Sequence, residues 1–221
     1  MSDSPFDRLA ARYEEWFDSP GGRRIFAAEV QALEDLLVDM PRPWLEVGVG
    51  TGRFAEALGV DAGLDPSAAM LRIAAGRGVS TRTGSAEDLP YPDSAYGALL
   101  LVVTICFLSE PREALREAAR VLRDQGRLLV GLVPRDSPWG ILYSRKGKDG
   151  HPFYSEATFY TCSEIIGLAE SEGFQLERAR SCLFESPEAD LPAYEEPHEG
   201  LVSGAGFAVM RFTFDGQKRR P

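Results

Sequence analysis

The segment Trp44-Leu45-Glu46-Val47-Gly48-Val49-Gly50-Thr51-Gly52 constrains the chain more than any other. Its short apolar run reads as a strand, the glycines at alternate positions read as a tight turn, and Arg53 to Leu58 resumes a helical pattern. In such a strand-loop-helix unit, glycine lets the backbone turn and approach a ligand where a Cβ would collide with it. Amides at the helix start, near Thr51 to Arg53, favour an anionic group such as a carboxylate. Glu46 beside them suits a positively charged amino group, directly or through water. One acid next to an anion site is what a zwitterionic amino-acid moiety needs. A dinucleotide is the competing tenant: counted from Gly48 the GxGxxG pattern fails at Arg53, but Gly50, Gly52 and Ala55 meet the weaker GxGxxA form.

Strand and helix patterns keep alternating beyond this unit, which implies a parallel sheet with helices on its faces. Val60 to Leu64 reads as a second strand, Ser67 to Gly76 as a helix, Val79 to Arg82 as a third strand, and Ala98 to Val103, apolar on both faces, as a central strand. Glu113 to Arg123 reads as a helix closed by an Asp124-Gln125-Gly126 turn, with a strand from Arg127 to Val133. From Pro134 to about Tyr160 the periodicity fails, and the stretch is rich in Gly, Pro and aromatics, as an insertion wrapped over a site would be. Ser163 to Glu172 is a further helix. Phe174 to Phe184 and Gly206 to Phe214 close the chain as two strands around an acidic loop, Glu185 to Gly200. At the start, residues 6–17 and roughly 22–38 read as amphipathic helices parted by Ser19-Pro20-Gly21-Gly22, a helical cap over residues 1–40.

A length of 221 residues suits one domain, and 44% hydrophobic with 26% charged residues marks a folded chain. The net charge of -10 repels polyanions, so nucleic acid is a disfavoured partner despite local basic groups such as Arg23-Arg24 and Lys218, Arg219, Arg220. Cys106, Cys162 and Cys182, odd in number and far apart, argue against a disulfide framework and against a metal site with short ligand spacing. The opening MSDSPFDRLA has no basic segment leading into an apolar one, and the longest apolar run, Gly97 to Leu108, is too short to span a bilayer. A cytoplasmic protein without membrane association is expected, its oligomeric state open.

Two further segments bear on a ligand. Gly63-Leu64-Asp65-Pro66-Ser67 puts an acid at the end of the second strand, where a carboxylate accepts both hydroxyls of a ribose; capping the next helix is the competing role. Met70, one turn into that helix, can cover an adenine face or serve as plain core. Then comes Thr83-Gly84-Ser85-Ala86-Glu87-Asp88-Leu89-Pro90-Tyr91-Pro92-Asp93-Ser94. With it the chain resembles the class I S-adenosylmethionine-dependent methyltransferases, in the small-molecule branch related to the ubiquinone and menaquinone biosynthesis enzymes. The likeness runs in order over about residues 44–133: the glycine loop, the ribose acid, GSAEDLPYPDSAY and LREAARVLRDQGRLLVGLV.

The resemblance implies a Rossmann-like three-layer α/β sandwich whose seven-stranded mixed sheet has the order 3-2-1-4-5-7-6, the last strand antiparallel. It implies S-adenosylmethionine as cofactor and transfer of its methyl group to an N, O or S atom of a small-molecule acceptor by in-line displacement. Glu46, Gly48 and Gly50 then flank the methionine part, Asp65 with Pro66 holds the ribose, Ser85, Ala86 and Glu87 border adenine, and Thr104 borders the methionine moiety and the acceptor cavity. Ser85 stands where such enzymes often carry aspartate, so Glu87 or a backbone carbonyl is the alternative acceptor of the adenine amino hydrogen. The rival functions are an NAD(P)-dependent oxidoreductase and a non-catalytic S-adenosylmethionine-binding module.

Tyr13, Trp16 and Phe17 lie close together near the end of the first helix, and this branch often closes a similar aromatic helix over the cofactor. Tyr13 is the candidate contact, with simple packing as the alternative. His151 and His198 are the only histidines, so a histidine pair lacks support; His151, beside the aromatic insertion, and Tyr13 are the candidates for a catalytic role. Cys106 reads as a buried thiol, because methyl transfer from a sulfonium needs no covalent enzyme intermediate. Residues 134–160 form the acceptor-side insertion. Its Trp139, Tyr143, Phe153, Tyr154, Phe159 and Tyr160 suit an apolar pocket, and its Arg135, Arg145, Lys146 and Lys148 offer an anion contact.

Overall fold

The computed structural model describes residues 4–188 and 195–214. The basic tail Lys218, Arg219, Arg220 and the middle of the acidic loop lie outside the described residues. Three helices come first: α1 (Pro5–Arg8), α2 (Ala10–Asp18) and α3 (Pro20–Leu37). Ser19 caps α3, its Oγ accepting from Gly22 N at 3.0 Å, and Pro20 takes the first helical position, where no N–H is needed. The single helix expected over 6–17 is two pieces, because Leu9 leaves helical geometry with φ -119° and ψ 22°.

The remaining elements are β1 (Trp44–Val47), α4 (Arg53–Leu58), β2 (Ala62–Asp65), α5 (Ala68–Gly76), β3 (Thr81–Thr83), β4 (Tyr96–Val102), α6 (Pro111–Val121), β5 (Leu122–Leu132), α7 (Pro138–Lys148), α8 (Cys162–Ser171), β6 (Phe174–Cys182), β7 (His198–Glu199) and β8 (Phe207–Phe214). The sheet runs β3-β2-β1-β4-β5-β8-β6-β7. Its first five strands are parallel, and β8 inserts antiparallel between β5 and β6. This is the expected order with one addition at the edge. The two-residue β7 arises inside the segment expected as a loop, where Ser181 Oγ donates to Gly200 O at 2.8 Å and accepts from Val202 N at 3.0 Å, holding the returning chain against β6.

Side chains of β4 alternate between two cores. Ala98, Leu100 and Val102 join α3 and α4 on one face, and Leu99 and Leu101 join α6 and α8 on the other. Burial on both faces is why this strand reads as an unbroken apolar run.

Two boundaries differ from expectation. Strand β5 begins at Leu122, and the expected 124–126 turn is an irregularity of the strand, with Gln125 at φ 60° and a register shift opposite Tyr96 and Ala98. Within the 134–160 insertion α7 is regular: Ser137 Oγ accepts from Gly140 N at 3.0 Å, Pro138 follows as first helical residue, and Arg145, Lys146 and Lys148 complement the helix dipole in the last turn. Glycines at 140 and 147 thin its apolar face and hide the period.

The cap is fastened by charge. Arg53 on α4 pairs with Glu14 and, at 2.8 Å, with Asp18 of α2, while Arg77 at the end of α5 pairs with the same Glu14 and, at 3.0 Å, with Glu56. Arg211 of β8 donates to Leu36 O at 3.1 Å and Val38 O at 3.0 Å, tying the C-terminal end of α3 to the sheet.

Candidate active site

Strand order reverses between β1 and β4, and a cavity of about 900 Å³ opens beyond the carboxyl ends of these strands. Open α/β sheets place ligands at such a switch point. Tyr13, Gly48, Gly50, Asp65, Pro66, Met70, Ser85, Ala86, Glu87 and Thr104 line it together; Glu46 does not.

The two loop glycines do different work. Both have positive φ, +74° at Gly48 and +53° at Gly50. A Cβ on Gly48 would lie 2.3 Å from Thr104 Cγ2, whereas one on Gly50 meets no protein atom within 4 Å. Gly48 therefore admits the β4 terminus, and Gly50 leaves open space in the cavity. Thr104 is held in place by its hydroxyl, which donates to Val102 O at 3.0 Å and approaches Gly48 O at 3.3 Å.

Asp65 accepts from Gly50 N at 2.9 Å through Oδ2 and from Ser67 N at 2.8 Å through Oδ1, so the backbone of both loops orients its carboxylate. The helix-cap role belongs to Ser67, whose Oγ accepts from Met70 N at 3.2 Å. Burial raises the Asp65 pKa against the two backbone bonds that lower it. Behind the loop, Glu46 is buried, and its Oε2 has no partner among the described residues. Desolvation, with Asp65 adding a like charge, holds its pKa well above the usual carboxylate range.

Ser85 Oγ contacts the Glu87 carboxylate, whose other oxygen accepts from Ser109 N at 3.2 Å and Glu110 N at 3.4 Å. The sequence pointed to Tyr13 of the first helix and not to the start of that helix, which also walls the cavity. Asp7 Oδ1 accepts from Ser67 Oγ at 2.6 Å, docking α1 on the start of α5, and Ser4 to Arg8 line the cavity.

A second chamber of about 250 Å³ shares Tyr13, Val103 and Phe107 with the first. Five of the six insertion aromatics, Trp139, Tyr143, Phe153, Tyr154 and Phe159, line it, joined by Trp16, Phe17 and Phe54. Tyr160 packs into the opposite core instead. The expected anion contact is absent, since Arg135, Arg145, Lys146 and Lys148 line neither cavity, and Arg135 pairs with Glu164 at 2.8 Å.

His151 belongs to the small chamber, stacked 4.3 Å from Tyr154, and burial together with the charges of Lys146 and Arg12 lowers its pKa. Cys106 also faces this chamber; burial pushes its thiol up to about 12, so it stays protonated and donates weakly to Val103 O at 3.6 Å. Burial likewise raises the Tyr13 hydroxyl, with Glu29 adding to the effect.

Glu29 itself is the residue the sequence reading passed over. It lies on α3 in line with Ile25 and Leu33, four residues to either side, so an acid on an apolar stripe was the available signal.

Among the described residues no group of three or more His, Cys, Asp or Glu is arranged to hold a metal, and no helix is long and apolar enough to cross a membrane.

A family model for a methyltransferase domain matches residues 45–130. The crystal structure of a Thermotoga maritima protein, described as an S-adenosylmethionine-dependent methyltransferase and possible histamine N-methyltransferase, superimposes with a TM-score of 0.87 at 38% identity, covering 95% of this chain and 97% of that one. The chain belongs to the S-adenosylmethionine-dependent methyltransferases. An uncharacterized protein of Mycobacterium tuberculosis is 41% identical to the methyltransferase over 209 residues, 95% of this chain and 73% of that protein. Demethylmenaquinone methyltransferase of Thermotoga maritima is 28% identical over 205 residues, 77% of this chain and 86% of that enzyme. S-adenosylmethionine is therefore the cofactor of this methyltransferase, which sets the nicotinamide alternative aside.

Proposed function

We propose that the methyltransferase acts on an N, O or S atom of a compact small molecule held in the 250 Å³ chamber, and not on nucleic acid or a protein surface. The observation that carries this reading is the common wall: Tyr13, Val103 and Phe107 line both cavities, so groups held in the two sites meet there. The cofactor, when bound, supplies a methyl group already activated on a sulfonium.

Gly48, Gly50 and Thr104 would hold its methionine part with Glu46 acting from behind the loop, Asp65 and Pro66 its ribose, and Met70, Ser85, Ala86 and Glu87 its adenine. The fit is supported by the unpartnered Glu46 Oε2, which suits an ammonium, and by the open space at Gly50. Tyr13 would close the site.

The protein's part is orientation and exclusion of water. Phe6 of α1 packs on Phe107 at 5.0 Å and on Phe153 of the insertion at 5.3 Å, and Tyr13 packs on Phe153 at 5.6 Å. These contacts join the cap to the insertion beside both cavities. With its pKa lowered, His151 is neutral near pH 7 and is available to accept a proton where the acceptor needs to lose one. A net charge of -10 works against RNA or DNA, whose affinity rests on neutralised phosphates.

Labelled S-adenosylmethionine, incubated with the enzyme and a cell extract split into small-molecule, protein and nucleic-acid fractions, tests the reading. Label is expected in the small-molecule fraction; label confined to the other two overturns it.

A further inference from the structure

We infer that the acceptor is a compact organic cation with an apolar or aromatic body, and that Glu29 is its counter-ion and the residue that selects it. The inference rests on the small chamber being the acceptor site.

Glu29 is 6% exposed and lines the chamber. It makes no hydrogen bond or ion pair to another described residue, and burial alone accounts for its raised pKa. An isolated carboxylate in such a place is costly, and buried charges in folded proteins are paired. Folding gives no reason for an acid here: Ile25 and Leu33, on the same helix face, are buried and apolar. A ligand that brings the missing positive charge supplies the reason.

The surroundings suit that ligand. Glu29 lines the chamber together with the aromatic residues Tyr13, Tyr143 and Tyr154, and its charge raises the pKa of each of the three hydroxyls. Aromatic faces attract cations, the more so when water is excluded. The charged and titratable neighbours do not already satisfy it. Arg12 of α2 is exposed and His151 of the insertion has a lowered pKa, and neither perturbs Glu29. An anionic acceptor would meet a like charge wherever Glu29 is ionised, and supplies no charge to pair with it.

Burial lifts the Glu29 pKa to about 8, so near neutrality the empty chamber holds mostly the protonated acid. Capture of a cation then ionises Glu29 and releases one proton to solvent: carboxylic acid plus cation gives the carboxylate-cation pair plus a proton.

The test uses benzyltrimethylammonium, whose charge does not depend on pH, its neutral isostere neopentylbenzene, and the anion benzenesulfonate. Trp16 and Trp139 in the chamber wall report binding by fluorescence. At pH 8.5 the wild-type protein should bind the cation at least about tenfold more tightly than the isostere and should not bind the sulfonate. Cation affinity should rise with pH up to about 8. In Glu29→Gln, which removes only the buried charge and keeps the side-chain shape, the preference and its pH dependence should both disappear.

The inference is overturned by absence of cation binding, by a preference that survives Glu29→Gln, or by tighter binding of the sulfonate. Calorimetry with S-adenosylhomocysteine on the same samples keeps the cofactor site separate: its failure would refute the cofactor placement and leave the cation result standing. Benzyltrimethylammonium should also inhibit methyl incorporation into the small-molecule fraction. Binding through Glu29 without inhibition would overturn the assignment of the chamber to the acceptor.

Discussion

The two cavities meet at Tyr13, Val103 and Phe107, yet they are made of different material. In the larger, the decisive groups are backbone: positive-φ glycines at 48 and 50, the Gly50 and Ser67 amides that aim Asp65, and the 109–110 amides that hold Glu87. In the smaller they are large side chains drawn from α2, α3, α4 and the insertion. A site made of backbone conformation cannot change without disturbing the sheet that carries it. One made of side chains can be rebuilt on the same frame, so with the proposed placement the cofactor would be set by the fold and the acceptor by a handful of exchangeable residues.

The sharpest way to break this contrast is at the glycines. Gly48→Val would force a side chain onto Thr104 at positive φ, and a loss of about 3 kcal/mol or more in urea unfolding is expected. Gly50→Ala meets open space, so it should unfold much closer to wild type and lose cofactor affinity instead; equal unfolding losses at both positions would erase the distinction.

Next in size is Asp65→Ala. On the proposed placement it would remove charge-assisted hydrogen bonds to the ribose, and calorimetry should then show S-adenosylmethionine affinity falling by about 10- to 100-fold. Unchanged affinity with the fold intact would take Asp65 out of the site.

In the smaller chamber the expected change is in stability against pH. Folding raises the Glu29 pKa from the ordinary 4.5 to about 8, so the folded state holds a proton that the unfolded state releases across that window. The stability contribution is complete below pH 4.5 and is lost as pH rises through about 8. Glu29→Gln should lack this decline in denaturation series run from pH 5 to 9. Parallel curves for the two proteins would show that Glu29 is not buried as an isolated acid.

The smallest effect should come from Tyr143→Phe. Its ring stacks on Tyr154 at 4.4 Å, a contact that phenylalanine keeps, so the change should cost at most about 1 kcal/mol in thermal unfolding and leave cofactor affinity unchanged. A large loss of cofactor affinity would show that the two cavities are more tightly coupled than their shared wall suggests.

The sequence alone marked out much of the lining of the larger cavity. Leu45 to Gly52, Asp65 and Ser85 to Glu87 are short stretches in which residue type dictates backbone geometry: glycine permits positive φ, an acid at a strand end accepts hydroxyls, and each motif acts within a few residues of itself. Strand order followed from the family resemblance that these motifs carry, apart from β7, which is held at the sheet edge by the side chain of Ser181 and has no pattern of its own. Helix α7 carried the same Ser-Pro start as α3, but its glycines hid the period.

Only the tertiary structure decided the chamber. Hydrophobic periodicity shows that a residue lies on the apolar face of its helix, not what stands opposite. Glu29 on α3 comes to line the chamber with Tyr143 and Tyr154, more than a hundred residues later in the chain, and pairs with no cation among the described residues. Such meetings are set by how elements pack, where long-range contact replaces local propensity as the governing energy.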